Sequence, residues 1–449
     1  MQRLFGGWPA TVGLWLVIGA TGCWKHDRAA DTASATATAA RPLAIVVSCD
    51  TAGWIVPCGC SSKQAGGLPR RATYARLAGA ASDLLVADAG GAPGGTSPYD
   101  RLKFEYIARG ELAMDIAAHN VGAAEARLGA AELRRLSETW HVPFVSTNVR
   151  DTRGERIAAA HQLVERQGTR VAILGVLSPG YRVAGLEIAN PAEAILSEVA
   201  SLRGQFDVLL VLAYLPEAEL ESLATQIPEA DLIAGGPTGQ SRAPQQAGPT
   251  LWGSATNKGK FLLHFERPAK KAAWSGRIVE LGTDYADQER QLENLQSFRE
   301  ELGRVDFTAD QTSFAPALPA QTPADFRVVG SEACEACHAD DCQSWRASRH
   351  GRAWLTLLEK ESQVDPYCQH CHTTGYGLPG GFTSLAASGD RVQVGCENCH
   401  GPAQAHARQP SLKTLYDARD RCVVCHDHEN SPKFDYASYW ELIVHGKKP

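Results

Sequence analysis

The chain has 449 residues, of which 44% are apolar and 21% charged, so it has the composition of a globular protein with room for two to four domains. This excludes a disordered or membrane-embedded chain, and a net charge of −6 without a basic stripe argues against nucleic acid as a partner. Thirteen cysteines would suggest disulfides in an exported protein, but nine of them lie between Cys334 and Cys425.

The first 23 residues are typical of an export signal. Arg3 precedes the apolar run TVGLWLVIGA, which is too short to span a bilayer. Ala20-Thr21-Gly22-Cys23 resembles a bacterial lipoprotein cleavage site, at which Cys23 would be acylated; ordinary cleavage nearby is the alternative. We predict a periplasmic protein, or one outside the inner membrane, held to the membrane by a lipid anchor at Cys23, with residues 24–42 as a flexible tether.

Residues 43–285 alternate buried strands with helical stretches, which predicts an α/β domain. The predicted strands are PLAIVVSC, DLLVADAG, RVAILGVL, DVLLVLAY and ADLIAGG. The predicted helices include PAEAILSEVASLRG and EAELESLATQI.

The order of short motifs in this region resembles the exported 5'-nucleotidase branch of the calcineurin-like metallophosphatases. The matching pieces are SCDTAG, GGLPRRATY, DAGGAPGG, NVGAAEARLG, PFVSTNV, RVAILGVLSPG, AYLP and ADLIAGGPTG. The resemblance implies a metallophosphatase-like β-sandwich of two packed sheets flanked by helices, with two divalent metals at the strand ends.

The metal ligands of that family are missing, apart from Asp50. Other residue types stand at the remaining ligand positions: Ala52, Gly91, Ala123, Ala124, Tyr214, Pro237 and Gly239. One carboxylate cannot hold two metals, because each metal needs several oxygen or nitrogen ligands. We therefore expect phosphoesterase activity to be lost.

Cys49, Cys58 and Cys60 lie beside the former metal position in SCDTAGWIVPCGC. One interpretation is a structural disulfide between Cys49 and either Cys58 or Cys60. The other is a redox-active thiol site or a metal site formed by the three sulfurs.

Residues 286–328 connect the α/β domain to the C-terminal segment. QERQLENLQSFREELGRV, around 288 to 305, predicts an amphipathic helix with Leu292, Leu295, Phe298 and Leu302 on one face. TSFAPALPAQTPADF predicts the linker that follows it.

Four copies of C-x-x-C-H occupy residues 329–449. They are Cys334-Glu-Ala-Cys337-His338, Cys368-Gln-His-Cys371-His372, Cys396-Glu-Asn-Cys399-His400 and Cys422-Val-Val-Cys425-His426. A thioredoxin-type dithiol needs one such pair, and zinc does not require histidine after every second cysteine. Haem attachment does require a histidine directly after the second cysteine, because the two thiols bond the porphyrin and this histidine ligates the iron. We predict four covalently bound haems c.

The sixth ligand of each iron cannot be methionine, because the only methionines are Met1 and Met114, outside this segment. Five further histidines are present: His350, His370, His406, His428 and His445. His370 and His428 lie within or next to attachment loops and either could be a bystander, whereas the other three lie farther away. Three distal ligands for four irons would leave one iron five-coordinate.

The segment from about 328 to 446 resembles the tetrahaem cytochrome c-554 family in its spacers as well as its loops. The matching pieces are CEACH, WRASRHGRAW, CQHCHTTGYG, VGCENCHGPAQAH, CVVCH and YWELIVHG. The resemblance implies a mainly α, loop-rich multihaem cytochrome c domain in which His350, His406 and His445 are distal ligands. It also implies that the haem on Cys368 and Cys371 is the open one.

These observations predict an electron carrier that exchanges electrons with redox partner proteins. From residue 331 onward, twelve Lys and Arg stand against fifteen Asp and Glu, a balance of −3 that favours basic partners. The alternatives are an oxidoreductase acting on a small nitrogen or sulfur compound at the open haem, and a thiol-redox or metal-binding protein acting through Cys49, Cys58 and Cys60.

Overall fold

Two mixed six-stranded sheets form the N-terminal α/β portion in a computed structural model, which describes residues 41–57 and 64–445. The strands are β1 (Leu43–Ser48), β2 (Asp83–Asp88), β3 (Ile116–Asn120), β4 (Phe144–Val145), β5 (Val149–Asp151), β6 (His161–Arg166), β7 (Thr169–Leu177), β8 (Leu186–Ile188), β9 (Val208–Tyr214), β10 (Leu232–Gly236), β11 (Arg242–Ala247), β12 (Thr250–Ser254), β13 (Phe261–Arg267) and β14 (Ser275–Glu280). The five strands predicted from apolar runs are confirmed as β1, β2, β7, β9 and β10.

The first sheet has the order β14-β13-β1-β2-β3-β4, and the second has the order β11-β12-β10-β9-β7-β6. The strands from β1 to β4 run parallel, as do β7, β9, β10 and β12, while β13, β14, β6 and β11 pair antiparallel at the edges. Strands β5 and β8 form a separate small sheet. Parallel strands place their carboxyl ends, and the loops that follow them, at the same sheet edge.

The helices of the α/β portion are α1 (Leu68–Ala81), α2 (Pro98–Leu112), α3 (Ala123–Leu128), α4 (Ala130–Trp140), α5 (Pro191–Ser201), α6 (Glu217–Gln226) and α7 (Glu289–Val305). The main core lies between the two sheets and includes Ile45, Leu85, Ile173, Leu210 and Phe265, all fully buried. A second core packs α5 and α6 on the outer face of the second sheet. The two-sheet α/β fold is thus as predicted.

The connecting helix α7 packs against α1 and α2, and its burial differs in part from the prediction. Leu295, Phe298 and Leu302 are buried, but Leu292 is 43% exposed. Gln291 is buried in its place and donates its side-chain amide to the carbonyl of Gly110 at 2.8 Å. The buried face of α7 therefore includes Gln291 instead of Leu292, because the glutamine amide can donate to a backbone carbonyl.

The C-terminal segment contains short helices joined by turns, and no strand lies beyond Glu280 in the part of the chain that the structure describes. The helices are α8 (Ala339–Ala347), α9 (Ala353–Glu359), α10 (Pro366–His372), α11 (Leu385–Ser388), α12 (Cys396–His400), α13 (Gln404–Arg408) and α14 (Tyr436–Glu441). Within residues 41–57 and 64–445, no helix has the length and apolarity that crossing a bilayer requires.

Candidate functional site

Each C-x-x-C-H motif forms a helical turn. The second and third motifs lie in α10 and α12. In the first and fourth motifs, the backbone N–H of His338 donates to the carbonyl of Cys334, and that of His426 donates to Cys422, each at 2.9 Å. Residues three and four apart share one helix face, so both sulfurs and the imidazole of each motif lie on the same side. This is the arrangement that two thioether bonds and one axial ligand to a single porphyrin require.

Three motif histidines lie opposite a histidine from elsewhere in the segment. The ring centroids are 6.2 Å apart for His338 and His406, 6.1 Å for His426 and His350, and 5.9 Å for His400 and His445. A metal–imidazole bond is about 2 Å long and the nitrogen lies about 1 Å from the ring centroid, so two rings across one ion have centroids about 6 Å apart. Each pair therefore has the spacing that one iron atom between two imidazoles needs.

Backbone carbonyls fix the protonation pattern of several of these rings. The Nδ1–H of His372 donates to Ala353 at 2.8 Å, that of His406 to Leu412 at 2.6 Å, and that of His445 to Ile443 at 2.9 Å. A ring that donates from Nδ1 in its neutral form keeps the Nε2 lone pair, which is the form that binds a metal. The donor set thus fits an iron-bound haem.

His372 differs from the other motif histidines, because no second histidine ring lies opposite it among the described residues. His370 stacks instead on Phe314, with ring centroids 4.8 Å apart, and its Nε2 lies 3.2 Å from the Cys371 sulfur. His428 is exposed. The three pairs use the three histidines that the sequence analysis named, and His370 and His428 lie outside them.

Sulfur atoms of different motifs meet in two places. The side chain of Cys334 in the first motif is within hydrogen-bonding reach of Cys396 in the third. Cys371 in the second motif is likewise in reach of Cys425 in the fourth. The attachment points of the first and third motifs are therefore neighbours, as are those of the second and fourth.

Glu397, in the third motif, is a structural residue that sequence reasoning missed. Its side chain is 1% exposed and accepts hydrogen bonds from the backbone N–H groups of Val329, Gly330 and Ala403 at 2.8–3.1 Å. It therefore ties the chain that enters the first motif to the chain that leaves the third. The sequence does show a glutamate inside the third motif. It could not be recognised as buried, because the first motif also contains a glutamate, Glu335, and that residue is exposed.

The α/β portion contacts the second motif through α2. The hydroxyl of Tyr99 donates to Asp365 Oδ1 at 2.7 Å. Asp365 caps α10, since the same oxygen accepts from the N–H of Tyr367 at 2.9 Å. The helix that carries Cys368, Cys371 and His372 is thus anchored at its N-terminus by a tyrosine of the α/β portion.

A second set of contacts joins the loop after β1 and the loop before β13 to the C-terminal segment. The ring of Trp54 packs edge-on against Tyr367, with centroids 5.5 Å apart. Lys258 and Lys260 form ion pairs with Glu429 at 3.0 and 3.5 Å, close to the fourth motif. Both portions therefore share an interface of aromatic and charged groups around the second and fourth motifs.

A tyrosine ring lies at the position where the sequence resemblance would place the phosphatase metals. A side-chain carbon placed on Gly91, where the family has its bridging aspartate, would lie 2.6 Å from the ring of Tyr214 and 3.1 Å from the backbone of Asp50. The carboxylate of Asp50 instead accepts a hydrogen bond from Thr256 at 2.9 Å. An aspartate at position 91 is incompatible with this position of the Tyr214 ring.

The candidate thiol site is described only in part. Cys49 is buried and its thiol donates to the carbonyl of Gly90 at 3.5 Å. Burial, reinforced by the negative charges of Asp50 and Asp88, raises the pKa of the Cys49 thiol well above its usual value. Cys58 and Cys60 lie outside the described residues, as does the predicted lipidation site Cys23.

A buried charged cluster lies deeper in the α/β portion. Asp88, Glu111 and His119 each offer a ligand atom within 4.8 Å of the others. The Arg71 guanidinium lies 3.6 Å from Asp88 and 3.4 Å from Glu111, and His119 Nδ1 is 2.7 Å from Glu111. Burial and the charge of Glu111 raise the pKa of Asp88 to about 7. Arg71 thus already supplies positive charge to this cluster, which the sequence analysis did not identify.

Comparison with known proteins gives different relatives for the two portions. Residues 333–401 match the family of cytochrome c554 and c-prime. Cytochrome c-554 of Nitrosomonas europaea is 27% identical over 145 residues, which cover 24% of this chain and 62% of that protein.

The α/β portion is similar to solved phosphoesterases. A 5'-nucleotidase precursor from Thermus thermophilus aligns with a TM-score of 0.51 and 21% identity, covering 60% of each chain. The calcineurin-like phosphoesterase YfkN of Bacillus subtilis aligns with a TM-score of 0.50 and 16% identity, covering 58% of this chain and 97% of that one. At these identities the likeness shows the fold alone.

The chain spans less than two thirds of the length of the cytochrome, at 62%, and of the nucleotidase precursor, at 60%. The chain thus joins a segment that resembles the cytochrome c554 family to an α/β portion with the fold of calcineurin-like 5'-nucleotidases.

Proposed function

We propose that this protein is an exported tetrahaem c-type cytochrome that carries electrons between redox partner proteins. The cysteines of the four motifs bind the haems covalently, and His338, His372, His400 and His426 are the proximal ligands. His406, His350 and His445 are the distal ligands of the first, fourth and third motifs, following the observed ring pairs. The location in the periplasm and the lipid anchor at Cys23 are part of the proposal.

The observation that carries the proposal is the set of three histidine pairs at 5.9–6.2 Å, each with one ring from a C-x-x-C-H turn. Unrelated surface histidines would not meet three times at the spacing of one metal ion. When bound, the haems supply reversible one-electron transfer.

The chain's own residues hold the proposed ligands in place. The rings of His372, His406 and His445 each donate a hydrogen bond from Nδ1 to a backbone carbonyl, which fixes their orientation. The contacts between cysteines of the first and third motifs, and of the second and fourth, support two close pairs of attachment sites. Haems bound at neighbouring attachment sites would be close together, and short separations between haems favour electron transfer along the segment.

A second candidate function is catalysis at the second motif, on a small nitrogen or sulfur compound. The observation that favours it is His372, which lacks an opposing histidine among the described residues. Steady turnover of nitrite or hydroxylamine with a reduced dye would support catalysis at the second motif. Its absence across such substrates, with fast electron exchange retained, would favour the carrier.

The ligand assignment is tested by electron paramagnetic resonance of the oxidised holoprotein. We expect three low-spin irons and one high-spin iron. Separate alanine substitutions of His350, His406 and His445 should each convert one further low-spin signal to high-spin. His428→Ala is the matched control and should leave the spectrum unchanged. A parent spectrum of four low-spin irons, or an unaltered spectrum in the three variants, would contradict the assignment.

We further propose that the α/β portion is a scaffold for the cytochrome segment rather than a phosphoesterase. The Tyr99–Asp365 hydrogen bond and the Lys258 and Lys260 pairs with Glu429 support this role. The thiol hypothesis for Cys49, Cys58 and Cys60 stays a prediction. A triple serine variant with an altered haem titration would support it, and an identical titration would count against it.

A further inference from the structure

A cavity of about 320 Å³ lies beside the hairpin that joins β13 and β14, in the α/β portion. Its lining includes Arg267, Lys270, Lys271 and Trp274 from the hairpin, together with Asp231 and Gln246. These residues belong neither to the cytochrome segment nor to the former metal position. The cavity is therefore a feature that the proposed electron-carrier function does not use.

Two N–H donors at this cavity lack acceptors in the part of the chain that the structure describes. Arg267 is 6% exposed and its guanidinium stacks on Trp274, 4.8 Å from the ring centroid. Among the described residues, neither Arg267 Nε nor Trp274 Nε1 has a hydrogen-bond partner, although both atoms are buried. A buried donor without a partner destabilises the fold, because it loses its hydrogen bonds to water without replacement. The pair therefore indicates an acceptor that the described part of the chain does not supply.

The charges around the cavity favour an anion. Three cationic side chains stand against the carboxylate of Asp231, whose Oδ2 already accepts from the N–H of Leu209 at 2.9 Å. Lys270 is engaged with the carbonyl of Gly168 at 3.1 Å and lies 3.9 Å from Asp207. Lys271 has no ion pair within 4.0 Å among the described residues. The Arg267 charge acts on the Asp231 carboxylate, but the two form no ion pair within that distance in the described part of the chain. The cavity therefore keeps an excess of positive charge and of hydrogen-bond donors.

We propose that this cavity binds a small tetrahedral oxyanion of the phosphate or sulfate class. The Arg267 guanidinium, fixed by stacking on Trp274, provides the central positive charge, and the Trp274 N–H and the Lys271 ammonium complete the donor set. An arginine held in this way loses little side-chain entropy on binding an oxyanion. The volume is at the small end of the range for ligand cavities, which suits such an anion or a small molecule that carries one.

The proposal is tested by isothermal titration of the holoprotein with inorganic phosphate and, separately, with sulfate at low ionic strength. We expect one site per chain. Arg267→Met should weaken binding by about 10- to 100-fold, the factor for hydrogen bonds to a charged group. Trp274→Phe, which removes the N–H and keeps an aromatic ring, should weaken it by about tenfold. Arg134→Met, which removes an exposed cation elsewhere, is the matched control and should leave the affinity within about twofold.

If Arg267→Met does not fold, Trp274→Phe and Lys271→Met decide the question. Absence of binding to either anion at millimolar concentration would overturn the proposal. So would binding that persists undiminished in the Arg267 and Trp274 variants. A preference for phosphate or for sulfate identifies which of the two anions the cavity selects, and either preference supports an oxyanion site.

Discussion

Glu397 offers a direct test of how the cytochrome segment is held together. Its two carboxylate oxygens accept four hydrogen bonds from three backbone N–H groups, with Val329 shared between both oxygens. In Glu397→Gln, an amide NH2 must replace one of these oxygens. Whichever oxygen is replaced, a 2.8 Å bond is lost, from Gly330 to Oε2 or from Ala403 to Oε1.

The expected cost follows from the charge and burial of this group. A hydrogen bond to a charged acceptor contributes about 1.5–3 kcal/mol, and the remaining bonds become weaker because the acceptor is now neutral. The new NH2 group also faces a backbone N–H that keeps no partner. We therefore expect Glu397→Gln to lower the free energy of unfolding by about 2–4 kcal/mol.

The assay is denaturant unfolding of the holoprotein, followed by haem absorbance. Glu335→Gln is the matched control, because Glu335 occupies the same position in the first motif but is exposed and pairs with Arg346. An exposed ion pair contributes about 1 kcal/mol or less, so the control should lose no more than that. Equal losses in the two variants would refute the role assigned to the buried carboxylate.

Three further predictions concern the α/β portion. Tyr99→Phe removes the hydrogen bond to the carboxylate that caps α10 and should lower the unfolding free energy by about 1–3 kcal/mol, measured by the same assay. Burial lowers the pKa of His264 to about 4, below its unfolded value, so the unfolded state takes up a proton first as the pH falls below about 6.5. Stability should therefore fall between about pH 6.5 and 4, and His264→Gln should remove about 2 kcal/mol of that loss; identical pH profiles for parent and variant would contradict this. Gly91→Ala should destabilise by about 1–3 kcal/mol more than Gly154→Ala, because both glycines have φ near +80° but only Gly91 has a neighbouring ring at 2.6 Å; equal losses would count against the clash.

The attachment motifs could be predicted from sequence because their chemistry is local. Two thiols and a histidine within five residues are sufficient for one haem, and a single helical turn brings them to one face. The number of candidate distal ligands could also be proposed from sequence, since methionine is missing from the segment. The pairing was not, because it depends on which loops meet in space: His406 lies opposite His338, 68 residues earlier, by a fold that spacing cannot reveal.

The strands of the α/β portion were predictable because buried parallel strands are continuous apolar runs. Burial on α7 was predicted only in part, since periodicity cannot say where the buried arc ends or that Gln291 would find the carbonyl of Gly110. Glu397, Arg71 and Asp365 were missed for a related reason. A buried charged residue looks like a surface residue in sequence, and only its tertiary partners distinguish the two.

Intact-mass spectrometry measures whether four haems are covalently bound to this protein. The protein should be produced in a host that matures c-type cytochromes and measured under denaturing conditions, which remove any haem that is not covalently bound. We expect the mass of the processed polypeptide plus four haems, with one haem on the peptide of each C-x-x-C-H motif. A mass equal to the polypeptide alone, or fewer than four attached haems after complete maturation, would contradict it.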